Sequence, residues 1–120
     1  MAVVRACLER SGVPPAGLAC LFASANGAPA LDRFESVVLR EALGPAAREA
    51  PVVCFKKFVG ESGAASAGMA VAAALRVRYA GAIHRPSSRR DPAAMAGPVL
   101  AHALGSGGSC VSLVLGPPES

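Results

Sequence analysis

Three segments of the chain carry apolar residues at helical spacing. The first, residues 2–11, is short, and a Gly-Val-Pro-Pro stretch directly after it ends the helix. The second runs from about Leu31 to Leu43, with Asp32 and Glu35 expected in its first turn, where negative charge complements the helix dipole. Its predicted apolar face consists of Leu31, Phe34, Val38 and Leu39. The third is an Ala-rich helix from about Ala64 to Tyr79.

Short, continuous apolar runs alternate with these helices and are typical of buried strands. They are Leu18–Ser24, Pro51–Phe55, Val99–Leu104 and Cys110–Leu115. A Gly-Ser-Gly-Gly turn at residues 105–108 joins the last two as a hairpin. This order of elements predicts an α/β fold in which helices pack on a mixed sheet that ends in an antiparallel hairpin. A length of 120 residues predicts one domain, residues 1–120.

Composition narrows the class of protein. Hydrophobic residues make up 52% of the chain, and there is no Trp. The longest nearly uncharged apolar stretch, Gly63–Leu75, is too short for a bilayer span, which needs roughly 20 apolar residues. Charged residues interrupt residues 1–20, so a signal peptide is not expected. We therefore expect a cytoplasmic protein.

The four cysteines are scattered along the chain. They are Cys7, Cys20, Cys54 and Cys110. The spacing lacks a C-x-x-C pair or a nearby His, so we expect reduced cysteines and no zinc site or other cofactor. Cys110 and His102 lie on the two hairpin strands and could form a nucleophile–base pair, but a structural histidine is the favoured interpretation.

The chain has a net charge of +4, and its basic residues are most concentrated between positions 76 and 90. The arginines of this basic region are Arg76, Arg78, Arg85, Arg89 and Arg90. A basic patch attracts acidic partners. Aromatic residues make up only 4% of the chain and a nucleic-acid-binding motif is not recognisable, so nucleic acid is not expected. The alternative is a solvated loop without a partner.

Two segments carry the candidate chemistry. The first reads Ser-Ala-Asn-Gly-Ala-Pro-Ala-Leu-Asp-Arg-Phe-Glu from Ser24 to Glu35, and the second reads Lys-Lys-Phe-Val-Gly-Glu from Lys56 to Glu61. Both resemble the C-terminal half of β-ketoacyl synthases, the condensing enzymes of fatty-acid and polyketide assembly. The hairpin turn is a third point of resemblance, because Gly-Ser-Gly-Gly-Ser-Cys at 105–110 is similar to the family's Gly-Phe-Gly-Gly-Thr-Asn. The resemblance implies the C-terminal half of a thiolase-like fold.

This chain departs from the family pattern at both catalytic histidines. The family places a histidine eight positions before the Asp of the first segment, where this chain has Ser24. The second segment usually ends Gly-His, and here Glu61 follows Gly60. Ser106 also stands in place of the gatekeeping Phe. The resemblance implies a degenerate pocket formed by Ser24, Lys56, Gly60, Glu61, Gly105, Ser106, Gly107 and Gly108.

These replacements change the chemistry that the pocket can perform. A neutral imidazole donates a hydrogen bond to a developing oxyanion, and few side chains replace it at neutral pH. An ionised Glu61 would repel the negative charge of an enolate, and Ser24 would be a weak donor. Lys56 matches the lysine that supports the histidines in the family. It either pairs with Glu61 or both side chains are independently solvated.

The resemblance is greatest to the chain-length factor, the non-condensing subunit of type II polyketide synthases. It implies a catalytically silent subunit or fragment that associates with a ketosynthase subunit or with the missing N-terminal half of the fold. The basic region could then bind an acyl carrier protein. An enzyme with substituted acid–base residues, still active in condensation or decarboxylation, is the alternative. A gene remnant without a role is a third possibility.

Overall fold

The elements of the chain alternate between helix and strand. The computed structural model describes residues 1–25, 27–63, 65–80, 97–105 and 107–116, with backbone alone for residues 77–80. Its helices are α1 (Ala2–Ser11), α2 (Pro29–Leu43), α3 (Lys56–Val59) and α4 (Ala65–Ala80). Its strands are β1 (Cys20–Phe22), β2 (Val52–Val53), β3 (Val99–Leu104) and β4 (Cys110–Leu115). Short 3₁₀ turns lie at Pro15–Gly17 and Gly44–Arg48.

The strands form one mixed sheet in the order β2-β1-β3-β4. The first three are parallel, with Leu21 opposite Val52 on one side and Leu100 on the other. The last strand is antiparallel, with Leu104 opposite Cys110. The predicted fold class is therefore confirmed, including the terminal hairpin, whose two strands have the predicted bounds.

Helices pack on both faces of the sheet, to which successive strand residues point alternately. On one face, strand residues pack against α1 and α2. This cluster contains Val4, Leu8, Leu18, Leu21, Ala23, Leu39, Leu43 and Leu100. On the other face, strand residues pack against α4. This second cluster contains Cys20, Phe22, Val53, Ala74, Val99 and Ala101.

The predicted apolar face of α2 was partly wrong. Val38 and Leu39 are buried, but Leu31 is 47% exposed and Phe34 is 58% exposed. The residue that shares the buried side is Glu35, and Phe34 lies about 100° around the helix from it. Glu35 was also predicted in the first turn, but α2 begins at Pro29 and places it in the second turn. Its carboxylate therefore serves a local contact rather than the helix dipole.

Two predicted strands were too long. Leu18–Ser24 contains the three-residue β1, and Pro51–Phe55 contains only the two residues of β2. Sheet pairing ends at Val53 because the chain then turns into α3, whose first turn bonds Lys57 N–H to the carbonyl of Cys54. Cys54 therefore lies outside the strand and is half-buried.

The cysteines are free thiols, and Cys20 alone among them is fully buried. Burial raises the pKa of Cys20 to about 11. Within the described part of the chain, the helices are too short or too polar to cross a membrane.

Candidate functional site

An open cleft of about 820 Å³ lies at the carboxyl ends of the parallel strands. Ligands of parallel α/β sheets commonly bind at such an edge. The structure brings most of the predicted pocket residues to its wall, which includes Ser24, Lys56, Glu61, Gly105, Gly107 and Gly108. Gly60 is not part of the wall. It ends α3 with φ of 76°, a conformation that favours glycine. Ser106 lies outside the described residues.

Ser24 is held where β1 ends. The residue is 4% exposed, and its Oγ accepts a hydrogen bond from the Leu104 N–H at 3.3 Å. The Lys56 Nζ lies 3.4 Å from the same Oγ. The hydroxyl therefore connects the ends of β1 and β3 with the first residue of α3. The side chain is therefore a short, fixed polar contact in the cleft.

Glu35 fixes the backbone on which Ser24 sits. Its Oε1 accepts the Ser24 N–H at 2.7 Å, and its Oε2 accepts the Ala25 N–H at 2.8 Å. Ala25 has φ of 39°, so the chain turns sharply at this point. Burial raises the pKa of Glu35, and the two backbone hydrogen bonds oppose that rise. Glu35 is thus a buried clamp on the loop after β1.

Lys56 and Glu61 form an ion pair in the cleft, with 2.6 Å between Nζ and Oε2. The first of the two alternatives drawn from the sequence is therefore confirmed. The other carboxylate oxygen accepts a hydrogen bond from Ser66 Oγ at 2.6 Å and from the Gly63 N–H at 2.9 Å. The Lys56 hydrogen bond, followed by that of Ser66, lowers the pKa of Glu61 to about 2. The carboxylate is ionised at neutral pH and cannot donate a hydrogen bond.

His102 also contributes to the cleft wall. The residue is 2% exposed, and its Nδ1 lies 2.8 Å from Ser112 Oγ. Its Nε2 is 4.0 Å from Oε1 of Glu35. Burial lowers the pKa of His102, so the ring is neutral. These contacts are those of a structural histidine, the favoured interpretation of the sequence.

The conceivable Cys110–His102 pair lacks the geometry of a nucleophile and its base. Cys110 Sγ lies 3.9 Å from Nδ1 and 3.8 Å from Nε2, so neither ring nitrogen points directly at the sulfur. Burial raises the pKa of Cys110, whereas a reactive cysteine needs a lowered one. The thiol therefore stays protonated and serves as a packing group.

The basic region can be placed only in part. Arg76 is exposed on α4, and the backbone of Arg78 belongs to the same helix. Arg85, Arg89, Arg90 and the side chain of Arg78 lie outside the described residues. The predicted carrier-binding patch remains a prediction.

Sequence reasoning missed two contributors to the site. Ser66 binds Glu61 from the start of α4, and the signal was a serine in the first turn of an otherwise apolar helix. Glu35 was expected in the first turn of α2 as a charge that complements the helix dipole, although a carboxylate between apolar residues of α2 indicates a buried contact. Among the described residues, clusters of three or more His, Cys, Asp or Glu suited to a metal ion do not occur.

Comparison with known proteins agrees with the resemblance noted in the sequence. Residues 1–87 match the family model described as β-ketoacyl synthase, C-terminal domain. A Streptomyces halstedii protein named polyketide β-ketoacyl synthase 2 is 43% identical over 68 residues, which cover 57% of this chain and 16% of that protein.

A second curated relative carries a more specific name. The tetracenomycin polyketide synthase ketoacyl synthase beta subunit of Streptomyces glaucescens is 40% identical over 72 residues, or 60% of this chain and 17% of that protein. The chain therefore spans about a sixth of the length of the relatives it matches. Solved structures give no significant match.

Proposed function

This chain belongs to the β-ketoacyl synthase family, whose C-terminal domain it carries, and from that premise we propose that it is a catalytically silent, chain-length-factor-like subunit or fragment. It associates with a ketosynthase and contributes to the shape of the cavity in which an acyl chain grows. The observation that carries the proposal is the Lys56–Glu61 ion pair. The resemblance assigns the position of Glu61 to the family's second histidine.

The electrostatics of the cleft support catalytic silence. Decarboxylation and condensation develop negative charge on an enolate oxygen, which needs a hydrogen-bond donor at both histidine positions. Glu61 offers a full negative charge at one of them, and at the other the Ser24 hydroxyl, whose oxygen accepts the Leu104 N–H, would be a weaker donor than an imidazole. A cleft arranged in this way binds and shapes an acyl group without stabilising the enolate.

Exposed apolar surface supports association with a larger partner. Val111 is 53% exposed and Leu113 is 44% exposed on β4, which lies at the edge of the sheet. On α4, Met69 and Leu75 are each 37% exposed, and the helix lacks an apolar-to-polar division of its surface. A helix that is apolar on all sides is normally buried on all sides. We propose that a ketosynthase subunit, or the N-terminal half of the same fold, covers these residues.

The whole chain forms one domain under this proposal. The family match ends at residue 87, but β3 lies outside the match and pairs with both β1 and β4. Removing the last third of the chain would leave one side of β1 and the buried residues of both clusters exposed.

An acyl carrier protein is proposed as a second partner, because its acidic surface would complement the arginines at positions 76–90.

Co-expression with a ketosynthase alpha subunit tests the association. We expect the two chains to purify together and to elute in one peak from size-exclusion chromatography. A matched pair of variants, Leu113→Lys on the exposed edge and Glu41→Lys on the outer surface of α2, separates a specific interface from general adhesion. Only Leu113→Lys should abolish co-purification. A stable monomer at micromolar concentration, in the presence of the ketosynthase, would contradict the proposal.

One observation favours the alternative of an active enzyme. His102 brings an imidazole to the cleft wall, and its Nε2 lies 4.0 Å from the Glu35 carboxylate. If that ring had taken over the role of the lost histidines, malonyl thioester decarboxylation would be measurable and His102→Gln would abolish it. We expect no activity in either form, because the ring is buried and its Nδ1 is bonded to Ser112.

A further inference from the structure

The Glu61 carboxylate is seated among three donors, one from α3, one from the loop after it and one from the first turn of α4. They are the ammonium of Lys56 at 2.6 Å, the hydroxyl of Ser66 at 2.6 Å and the backbone N–H of Gly63 at 2.9 Å. Ser66 is 5% exposed and the Lys56 side chain is 13% exposed, whereas the Glu61 side chain is 47% exposed. Lys56 and Ser66 are thus part of the protein wall, whereas Gly63 is exposed, and the carboxylate enters from the solvent side.

The geometry points to a binding site for a small carboxylate anion, formed by Lys56, Ser66 and the Gly63 N–H, which Glu61 occupies from within the chain. The inference concerns what the cleft recognises, and it holds whether or not the proposed association with a ketosynthase is correct. Glu61 acts as an internal ligand that excludes carboxylate-bearing molecules from this part of the cleft. Catalytic silence would then have two causes: the missing imidazoles and a blocked anion site.

Two of the three donors, Lys56 and Ser66, would keep their positions without Glu61. Lys56 Nζ also lies 3.4 Å from Ser24 Oγ, and its side chain is mostly enclosed, so the ammonium remains in the cleft. Ser66 Oγ is bonded to the Ser62 N–H at 3.0 Å and lies 3.1 Å from Ser62 Oγ. A cation together with two neutral donors, directed at two oxygens of one group, matches the geometry of a carboxylate.

The size of the cleft permits a ligand that carries more than the carboxylate. Small side chains, including Ala67 and Ala70, extend the wall beyond the three donors along α4. A carboxylate attached to a short acyl chain would place its charged end at Lys56 and its apolar part against these alanines. Acetate is the smallest probe of this class.

The test uses the full chain with Glu61→Ala, which empties the site while leaving its donors. In 100 mM sodium acetate, compared with sodium chloride at equal ionic strength, we expect the melting temperature of Glu61→Ala to rise by about 4 to 8 °C. That shift corresponds to acetate at about ten times its dissociation constant. The wild-type chain should show no difference between the two salts, because Glu61 fills its site.

Two further variants separate binding from a general salt effect. Glu61→Gln keeps a side chain of the same size in the site and should not respond to acetate. Glu61→Ala combined with Lys56→Met lacks the cation and should also be insensitive. Saturation-transfer NMR on the acetate methyl group gives a second readout, with a signal expected for Glu61→Ala alone.

The inference is overturned if Glu61→Ala shows neither an acetate-dependent shift nor an acetate NMR signal. It is equally overturned if Lys56→Met leaves the response intact. Should Glu61→Ala unfold in chloride, refolding yield in each salt becomes the readout: recovery in acetate alone supports the site, and equal loss in both salts refutes it. Because these measurements need no ketosynthase, their failure is independent of the association experiment.

Discussion

Replacing Glu35 should destabilise the cleft more than any other single polar change in α2. Its two carboxylate oxygens accept the N–H groups of Ser24 and Ala25 at 2.7 and 2.8 Å, and the residue is 4% exposed. Glu35→Ala leaves both donors without this partner. The loop that carries Ser24 would lose its connection to α2.

The size of the effect follows from these contacts. Each buried donor left without its acceptor costs about 1 to 3 kcal/mol. Removing a buried carboxylate relieves part of the cost of its desolvation, which is the reason that its pKa is raised. We expect Glu35→Ala to lower the free energy of unfolding by about 2 to 4 kcal/mol at pH 7. Glu35→Gln keeps one acceptor oxygen and should cost about half as much.

The pH dependence provides a second signature of the same residue. Folding raises the pKa of the Glu35 carboxyl above its ordinary value of 4.5. The folded state therefore binds the carboxyl proton more tightly than the unfolded state does. The stability contributed by the protonated group is present below pH 4.5 and is lost as the pH rises through the folded-state pKa. Glu35→Gln removes this pH-dependent contribution to stability. The loss in free energy of unfolding caused by Glu35→Gln, relative to the wild-type chain, should therefore be smaller at pH 7 than at pH 5.

Urea unfolding followed by circular dichroism measures both quantities. Glu41→Ala is the matched control, since it removes an exposed carboxylate from the same helix and should change stability by less than about 0.5 kcal/mol. Equal effects of Glu35→Ala and Glu41→Ala would refute the clamp. A Glu35→Gln effect that grows from pH 5 to pH 7 would show that the sign of the pKa shift is wrong.

Further predictions concern glycines and a cysteine. Gly108→Ala should lower the free energy of unfolding by about 1 kcal/mol, because φ is 78° at that residue, whereas Gly107→Ala should be nearly neutral. Equal stability of the two variants in urea unfolding would contradict this prediction. Gly68→Ala should stabilise the free chain by about 0.5 to 1 kcal/mol, because an added Cβ meets nothing within 4 Å in a helix, and a loss of stability in the same assay would count against it. Cys20, with its pKa raised to about 11, should resist alkylation at pH 8 while half-buried Cys54 reacts, and mass spectrometry showing equal labelling would contradict the burial.

The sequence predicted those parts of the fold that local pattern determines. The bounds of α1, β3 and β4 were correct, because each is a continuous apolar or amphipathic run between Gly or Pro signals. β1 and β2 were predicted too long because the length of a parallel strand depends on where its neighbours stop. Val53 is the last residue with a partner in β1, and apolarity continues beyond it into Phe55.

The sequence predicted the site residues that belong to a motif. It did not predict those that reach the site only through tertiary contacts. The spacing of the two segments brought Ser24, Lys56 and Glu61 into consideration, and the structure places all three on one cleft wall. The buried side of α2 was mispredicted because Glu35 had been grouped with Asp32 as a charge that complements the helix dipole. Only the fold reveals that its carboxylate meets two backbone donors 10 and 11 residues earlier in the chain.

Decarboxylation of a malonyl thioester by the full chain, alone and together with a catalytically inactivated ketosynthase, tests the central claim most directly. Glu61 carries a negative charge at the position that the sequence resemblance assigns to an imidazole, so we predict release of carbon dioxide at the rate of the buffer blank. Turnover above the blank that disappears in Glu61→Ala, with the fold preserved by circular dichroism, would contradict it.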